Sequence, residues 1–344
     1  MRRLIPFSSL FFLPLLLAAC LFDKGPDVVR LSGEAMGTTF NITAIGDDLD
    51  ADALSAEVQA ALAAVNAKMS NWDPASEVSR FAKSTSTAPQ PVSPEMAEVI
   101  AAANQVHAQS GGMFDVTLGP LIQLWGFGAR KPADPIPSDA AIAAAQQAVG
   151  QARLLTLDEG ALTLAKGRPD TQVFLAAIAK GYGIDAVAAV VAGAGADSYM
   201  VEIGGDLVTH GTNPEGKDWS IGIETPAPGA QGAIERVVPV RDRGMATSGD
   251  YRNFFTHAGQ RYSHIIDPTT GRPITHLTTS VTVLAENAMM ADAWATAMLA
   301  LGAERGLEVA AQHGIAAFFI SRSGTDADAS HVTAESAAFA AAIK

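Results

Sequence analysis

The chain has 344 residues, of which 48% are hydrophobic and 17% charged, and it contains a single cysteine. This composition excludes a disordered or collagen-like chain, and one cysteine cannot form an internal disulfide. Acidic residues number 36 against 23 Lys and Arg, for a formal charge of −13, so the chain lacks the positive charge of a typical nucleic-acid-binding protein.

The first 20 residues predict an export signal. Arginines at positions 2 and 3 precede an apolar stretch over about 10–17, which is too short to cross a bilayer comfortably. Two alanines directly before Cys20 resemble the lipobox of bacterial lipoproteins, in which this cysteine is acylated. We therefore expect a signal peptide over 1–19, a tether over 20–27 and a lipid anchor at Cys20 on the periplasmic side of the membrane. An ordinary signal peptide with an incidental cysteine, and an uncleaved anchor, are the alternatives.

The next part of the chain alternates strand and helix patterns. Residues 28–45 have the composition of strands. Apolar residues at spacings of three and four predict a helix over about 51–70. They are Leu54, Val58, Leu62, Val65 and Met69. A Ser-Pro-Glu opening and a terminal glycine pair predict a second helix within 93–112, a third is expected over 138–149, and a hairpin is expected over 154–164.

The second half of the chain reads mostly as strands. An Ala-rich helix is predicted over 172–192, two further helices over about 286–301 and 303–313, and an Ala-rich helix closes the chain. The predicted strands are 198–203, 219–224, 236–241, 262–266, 279–285 and 315–321. Because helices and strands mix without strict βαβ repetition, the pattern favours a single α+β domain over 28–344.

A carboxylate and a hydroxyl share one face of the predicted helix over 286–301. Asp292 and Thr296 are four residues apart, and hard oxygen ligands at that spacing suit Mg²⁺. The same pair could instead be two surface positions, with the threonine bonded to its own helix carbonyl. Apolar neighbours such as Met289 and Trp294 favour partial burial of Asp292, which would then need a partner.

His264 lies between two strand-like stretches and is followed by an Asp-Pro turn. A histidine near a carboxylate can act as a general base at neutral pH, or bind a phosphate when charged. A structural strand histidine is the alternative. Two weaker signals also point to a ligand site. The glycine pairs at 111–112 and 204–205 would let backbone amides approach a ligand. The side chains of Trp72 and Tyr251 could stack on a flat ring.

A set of short segments occurs together along the chain. They are Met-Gly-Thr-Thr (36–39), Phe-Asp-Val-Thr-Leu-Gly-Pro-Leu (114–121), Ala-Lys-Gly-Tyr (179–182), Gly-Gly-Asp (204–206), Ala-Thr-Ser-Gly-Asp-Tyr (246–251), Ser-His-Ile-Ile-Asp-Pro (263–268) and Ala-Asp-Ala-Trp-Ala-Thr-Ala (291–297). In this order they resemble the ApbE family, the FAD:protein FMN transferases, over about 30–325. The resemblance implies an α+β, T-fold-like domain of mixed sheets and packed helices. It also implies FAD as donor substrate, Mg²⁺ as cofactor, and transfer of FMN to a Thr or Ser hydroxyl of a redox protein with release of AMP.

The resemblance further implies roles for individual residues. The expected metal ligands are the Ala177 carbonyl, Asp292 and Thr296. The residues expected to contact the flavin nucleotide are Met36, Trp72, Met113, Phe114, Asp115, Lys180 and Ile266. Proton handling at the acceptor hydroxyl is expected from His264, with Asp267 and Asp250 as lesser candidates.

One position departs from the family pattern. The family usually has an acidic residue where Phe174 stands, so a hydrogen bond to the nucleotide is expected to be lost, unless the phenyl ring stacks on the donor or Asp170 substitutes. Two other functions therefore stay open. One is Mg²⁺-dependent hydrolysis of FAD to FMN and AMP at the same site, and the other is flavin binding without catalysis by a periplasmic lipoprotein.

Overall fold

The computed structural model describes residues 26–127, 134–226, 232–251, 253–323 and 330–344. The helices of this part of the chain are α1 (Ala51–Met69), α2 (Glu77–Lys83), α3 (Pro94–Gln109), α4 (Gly119–Trp125), α5 (Asp139–Gln146), α6 (Gln151–Leu154), α7 (Ala179–Gly193), α8 (Ala288–His313) and α9 (Ala337–Ala342). Within the same ranges, no helix has the length and apolar character needed to cross a membrane. The predicted export signal and Cys20 lie outside the described residues.

The strands group into one large sheet and several small ones. They are β1 (Asp27–Ala35), β2 (Thr38–Gly46), β3 (Gln90–Pro91), β4 (Leu155–Asp158), β5 (Thr163–Lys166), β6 (Ser198–Ile203), β7 (Asp206–His210), β8 (Trp219–Glu224), β9 (Ile234–Val240), β10 (Arg243–Gly249), β11 (Phe254–His257), β12 (Gln260–Ser263), β13 (Ile266–Asp267), β14 (Arg272–Pro273), β15 (Thr278–Ala285), β16 (Ala316–Ser323) and β17 (Ser330–Glu335). The large sheet has eight strands in the order β1-β2-β6-β7-β10-β15-β16-β17. Neighbouring strands in it run antiparallel.

The large sheet is covered on both faces. Helices α1, α7 and α8 pack on one face, where their apolar side chains meet those of β2, β6, β15 and β16. The hairpin of β8 and β9 packs on the other face together with α9. Since these layers mix helices with antiparallel strands, the α+β class predicted from the sequence is confirmed.

Helix α1 follows directly from its sequence. The carboxylate of Asp50 accepts hydrogen bonds from the N–H groups of Asp52 and Ala53, both at 3.0 Å, and so caps the first turn. All apolar residues of the predicted stripe are buried. Burial of one continuous stripe against the sheet and α7 explains why a 3.6-residue period located this helix correctly.

The segment before α7 corrects a prediction. The sequence predicts a helix from residue 172, but α7 begins only at Ala179. The side-chain amide of Asn71 donates to the carbonyl of Val173 at 2.8 Å and accepts from the N–H of Leu175 at 2.7 Å. These bonds, from a residue about 100 positions away, hold the segment in a non-helical conformation that the local Ala-rich composition does not predict.

Helix α8 is broken where the sequence predicts two separate helices. Gly302 has a φ of 75° and a ψ of 171°, which interrupts the helix, and glycine adopts this backbone conformation without strain. The hydroxyl of Thr278 accepts from the N–H of Ala303 at 2.9 Å and caps the second half. The first half of α8 therefore ends beside the strand that begins at Thr278.

Several turns lie together at one end of the large sheet, where they surround a cavity. The β1–β2 turn and the β6–β7 turn at Gly204 and Gly205 lie at this end, because Phe40 at the start of β2 pairs with Ile203 at the end of β6. The last residues of β10 lie at the same end of the sheet, where Gly249 pairs with Ser280 near the start of β15. The small sheets β11–β12 and β13–β14 follow β10 directly in the chain.

Candidate active site

A cavity of about 470 Å³ lies at this end of the sheet. Most residues implied by the family resemblance line it. They are Met113, Phe114, Asp115, Ala177, Lys180, His264, Ile266, Asp292 and Thr296. The structure thus brings into one cavity side chains that come from α7, α8, the loop before α4 and the segment between β12 and β13.

Asp292 and Thr296 occupy successive turns of the first half of α8. Asp292 is buried, and its Oδ2 accepts a hydrogen bond from the N–H of Gly181 at 3.0 Å. The hydroxyls of Thr296 and Ser248 are 3.1 Å apart. A Cβ atom at Gly181 would lie 2.2 Å from the carbonyl oxygen of Ala288, so this glycine allows α7 and α8 to approach closely enough for the bond to Asp292.

The oxygen donors at this position fit a magnesium ion. Asp292, Thr296 and Ala177 line the same cavity and offer a carboxylate, a hydroxyl and a main-chain carbonyl, and oxygen ligands are those that Mg²⁺ prefers. Burial raises the pKa of Asp292 to about 7, nearby Asp206 adds to the effect, and Lys180 only partly offsets it. A divalent cation would supply the positive charge that this buried carboxylate lacks. No group of three or more His, Cys, Asp and Glu side chains suited to a metal occurs among the described residues, so the ion would depend on one carboxylate and neutral oxygens.

Lys180 is held by a carboxylate that sequence reasoning missed. Its Nζ lies 2.8 Å from Oδ2 of Asp206, which is 2% exposed and whose Oδ1 also accepts from the N–H of Thr247 at 3.0 Å. Burial lowers the pKa of Lys180, but attraction to Asp206 and Asp292 outweighs burial and raises it above the usual value. The lysine is therefore a cation at the cavity wall. An aspartate directly after the glycine pair at 204–205 was the signal that could have revealed Asp206.

His264 lines the cavity, and one hydrogen bond fixes the tautomer of its ring. Its Nδ1 lies 2.9 Å from the carbonyl oxygen of Asn253. Because a carbonyl only accepts, Nδ1 has the proton and the neutral ring keeps its lone pair on Nε2. Burial lowers the pKa of His264 below its ordinary value, so the ring is neutral at pH 7. These properties suit a general base.

An aromatic pair stands at one side of the cavity. Phe174 lines the cavity, and its ring meets Trp72 edge-on at a centroid distance of 5.7 Å. Trp72 itself is 75% exposed and lies outside the cavity lining. Asn71, directly before it in the chain, fixes the backbone on both sides of Phe174. The wall at this position is therefore an ordered aromatic surface.

Met36 also lies outside the cavity lining. It occupies the β1–β2 turn with a φ of 51°, and its sulfur atom is 2.8 Å from where a Cβ atom on Gly183 would be. Met36 therefore packs against α7 near the cavity end of the sheet. Its side chain fills the space that the glycine leaves.

Two carboxylates implied by the resemblance accept hydrogen bonds from other groups of the protein. Oδ1 of Asp115 accepts from the N–H of Thr117 at 2.7 Å, and its Oδ2 accepts from the N–H of Gln151 at 2.9 Å. Oδ1 of Asp267 accepts from the N–H and hydroxyl of Thr269 at 2.7 and 2.6 Å. Asp115 borders the cavity, whereas the structure does not bring Asp267 to its lining.

The cavity as a whole has the parts of an enzyme that acts on a phosphorylated substrate. It combines hard oxygen donors, a protonated lysine and a neutral histidine, which together serve phosphoryl-transfer chemistry. The sequence model of the ApbE family matches residues 36–319. The chain belongs to the ApbE family.

Individual relatives agree with this assignment. A protein of Haemophilus influenzae named FAD:protein FMN transferase is 40% identical and aligns over 98% of both chains. One of Vibrio cholerae with the same name is 43% identical over 86% of this chain and 87% of the relative. The solved flavin transferase ApbE from Vibrio cholerae superimposes with a TM-score of 0.82 at 40% identity, covering 92% of this chain and 99% of that one. The apo flavinyl transferase ApbE of Pseudomonas stutzeri gives a TM-score of 0.83 at 36% identity, with 92% and 97% covered. The predicted family and enzyme class are confirmed.

Proposed function

We propose that this protein is a Mg²⁺-dependent FAD:protein FMN transferase, which moves FMN from FAD to a Thr or Ser hydroxyl of an acceptor redox protein and releases AMP. The observation that supports it best is the convergence of Asp292, Lys180 and His264 on one cavity. The names of the relatives support FAD as donor and a protein as acceptor.

The donor diphosphate needs local positive charge, because the chain has a formal charge of −13. Lys180 supplies one such charge, and Asp206 fixes its position. Asp292, Thr296 and the carbonyl of Ala177 would hold Mg²⁺, which when bound neutralises charge on the phosphate oxygens. Stabilising charge that develops on the leaving group is the largest contribution expected from such a site.

His264 would accept the proton of the acceptor hydroxyl on Nε2. The hydroxyl oxygen forms a bond to the FMN-side phosphorus while the bond between that phosphorus and the bridging oxygen breaks, and AMP leaves with the electron pair. The hydrogen bond from Nδ1 to Asn253 orients the ring for this transfer. The products are a phosphodiester between FMN and the protein, and AMP.

Transfer is tested with purified protein, FAD and MgCl₂, and with membranes from a Vibrio cholerae strain whose own ApbE-family transferase has been deleted. We expect a protein band with covalent flavin fluorescence in a denaturing gel, together with AMP, and loss of both on addition of EDTA. FMN and AMP without a fluorescent band would identify a hydrolase instead. Neither product would identify a protein that only binds flavin.

We also propose that the protein is anchored by lipid at Cys20 on the periplasmic side of a bacterial membrane. The support is the order of charged, apolar and small residues before this cysteine. The wild-type chain should incorporate an alkyne-labelled palmitate in cells and sediment with membranes. Cys20→Ser should incorporate none, and equal labelling of this variant would contradict the anchor.

A further inference from the structure

We infer that Arg261 is a positioning residue for His264, which ties the β11–β12 hairpin to the end of the large sheet through Asp250. This inference rests on the proposed function, in which His264 accepts the acceptor proton. Asp250 thereby has a different role from the proton handling that the resemblance implied for it.

Arg261 lies on β12 and holds Asp250 at two points. Its Nη1 donates to the carboxylate of Asp250 and its Nη2 donates to the main-chain oxygen of the same residue. Its guanidinium also lies 4.2 Å from the ring centroid of Phe254 on the neighbouring strand β11. A planar guanidinium can make two directed bonds and a stacking contact at once, which a lysine cannot do.

Asp250 is attached to the end of the large sheet. It directly follows β10, and its N–H donates to the carbonyl of Thr279 on β15 at 2.9 Å. The residue is 2% exposed. Arg261 therefore connects a buried residue at the end of the sheet to a hairpin that has only two short strands of its own.

The same hairpin orients the imidazole of His264. The carbonyl of Asn253, directly before β11, accepts hydrogen bonds from both the main-chain N–H of His264 at 3.2 Å and its Nδ1 at 2.9 Å. A shift of the hairpin base would move this carbonyl and with it the ring. The carbonyl also selects which nitrogen has the proton, so its loss would free both tautomers.

Two guanidinium groups face one oxygen of the Asp250 carboxylate. Besides Arg261, Nη2 of Arg322 lies 3.8 Å from its Oδ2. Oδ2 of Asp250 is therefore engaged in holding Arg261. Its contribution to catalysis is then through the orientation of His264.

Arg261→Gln tests the inference by two measurements. In ¹⁵N NMR spectra of histidine-labelled protein, the wild-type signals of His264, assigned with His264→Asn, should show one neutral tautomer with the proton on Nδ1. Arg261→Gln should show a mixture of both tautomers. In the transfer assay with the transferase-deleted Vibrio cholerae membranes, kcat should fall roughly 10- to 100-fold, the range for a displaced catalytic group, while the KM for FAD stays within about twofold.

Arg236→Gln is the matched control. Arg236 also forms an ion pair, with Glu335, and lies over the rings of Phe318 and Phe339 at 5.3 and 5.7 Å, but it is on β9 and outside the cavity lining. This variant should keep both the tautomer and the rate. Arg261→Lys, which keeps the charge, should recover part of the rate and serves as the test variant if Arg261→Gln does not fold.

Three results would overturn or separate the hypotheses. A wild-type tautomer and rate in Arg261→Gln would overturn the positioning role. Equal losses in Arg261→Gln and Arg236→Gln would show a general structural effect and would overturn it as well. A changed tautomer in Arg261→Gln, combined with no flavin transfer by the wild-type chain, would leave the positioning role standing and overturn the proposed function.

Discussion

The two sides of the cavity are built differently. On the side proposed to bind the FAD donor (the donor side), Asp292 and Lys180 lie on long helices packed against the large sheet, and α7 contacts α8 closely at Gly181. On the side proposed to receive the acceptor hydroxyl (the acceptor side), His264 lies between the short strands β12 and β13 and is hydrogen-bonded to the residue before the β11–β12 hairpin. Substitutions on the donor side should therefore affect both chemistry and stability, whereas those on the acceptor side should affect mainly chemistry.

The largest effect is expected from Asp292→Ala. Loss of the only carboxylate among the proposed metal ligands should reduce flavin transfer about 10³-fold or more, as when a main source of transition-state charge stabilisation is removed. In-gel flavin fluorescence measures the rate, and circular dichroism checks that the variant folds. Asp139→Ala, at an exposed aspartate whose side chain is 92% accessible, is the control and should keep the wild-type rate. Near-normal transfer by Asp292→Ala in MgCl₂ would contradict the metal assignment.

His264→Ala should reduce transfer about 10²-fold, within the range for loss of a general base, and should leave FAD binding unchanged. The pH dependence of the wild-type transfer rate also tests this role of His264. A base works when unprotonated, and burial lowers the pKa of His264, so the wild-type rate should rise with pH below the ordinary histidine range and be level by pH 7. Rates from pH 4.5 to 8 test this. A rate that still rises above pH 7 would argue against His264 as the base.

Lys180→Met should lower the stability of the protein. A loss of stability is expected for substitutions on the donor side and not for those on the acceptor side. The substitution leaves Asp206 buried without its cation. Breaking a buried ion pair lowers the free energy of unfolding by about 3 to 5 kcal/mol. We expect a loss of about 3 kcal/mol, at the lower end of that range, because the Lys180 side chain is 29% exposed. Urea unfolding measures the change. The double variant Lys180→Met with Asp206→Asn should recover part of the loss. A double variant no more stable than Lys180→Met would show that the buried charge is not the cause.

The smallest effect is expected from Trp72→Ala. Because Trp72 is 75% exposed and meets Phe174 only edge-on, its removal should weaken FAD binding by about 1 kcal/mol, close to fivefold in Kd, and leave stability unchanged. Quenching of flavin fluorescence gives the Kd. Val332→Ala, at an exposed residue on β17, is the control. A loss of more than about 100-fold would place Trp72 inside the donor site and not at its rim.

Elements with strong local signals were predicted well from the sequence. The stripe of α1, the Ser-Pro opening of α3 and the strands β6 and β8 depend on side-chain periodicity and capping residues within the element itself. The predicted start of α7 was wrong because Asn71, far away in the chain, holds the preceding segment in a non-helical conformation. Local composition contains no information about such a partner.

The sequence by itself determined the class of protein, since its motifs, helix periodicity and family resemblance depend only on the order of residues. Tertiary structure decided which charged groups meet. It pairs Lys180 with Asp206 and Arg261 with Asp250, and it leaves Asp292 buried beside the cavity. Electrostatic energy depends on distance and burial in space, and the antiparallel sheet brings these side chains to one end although they are far apart in the chain.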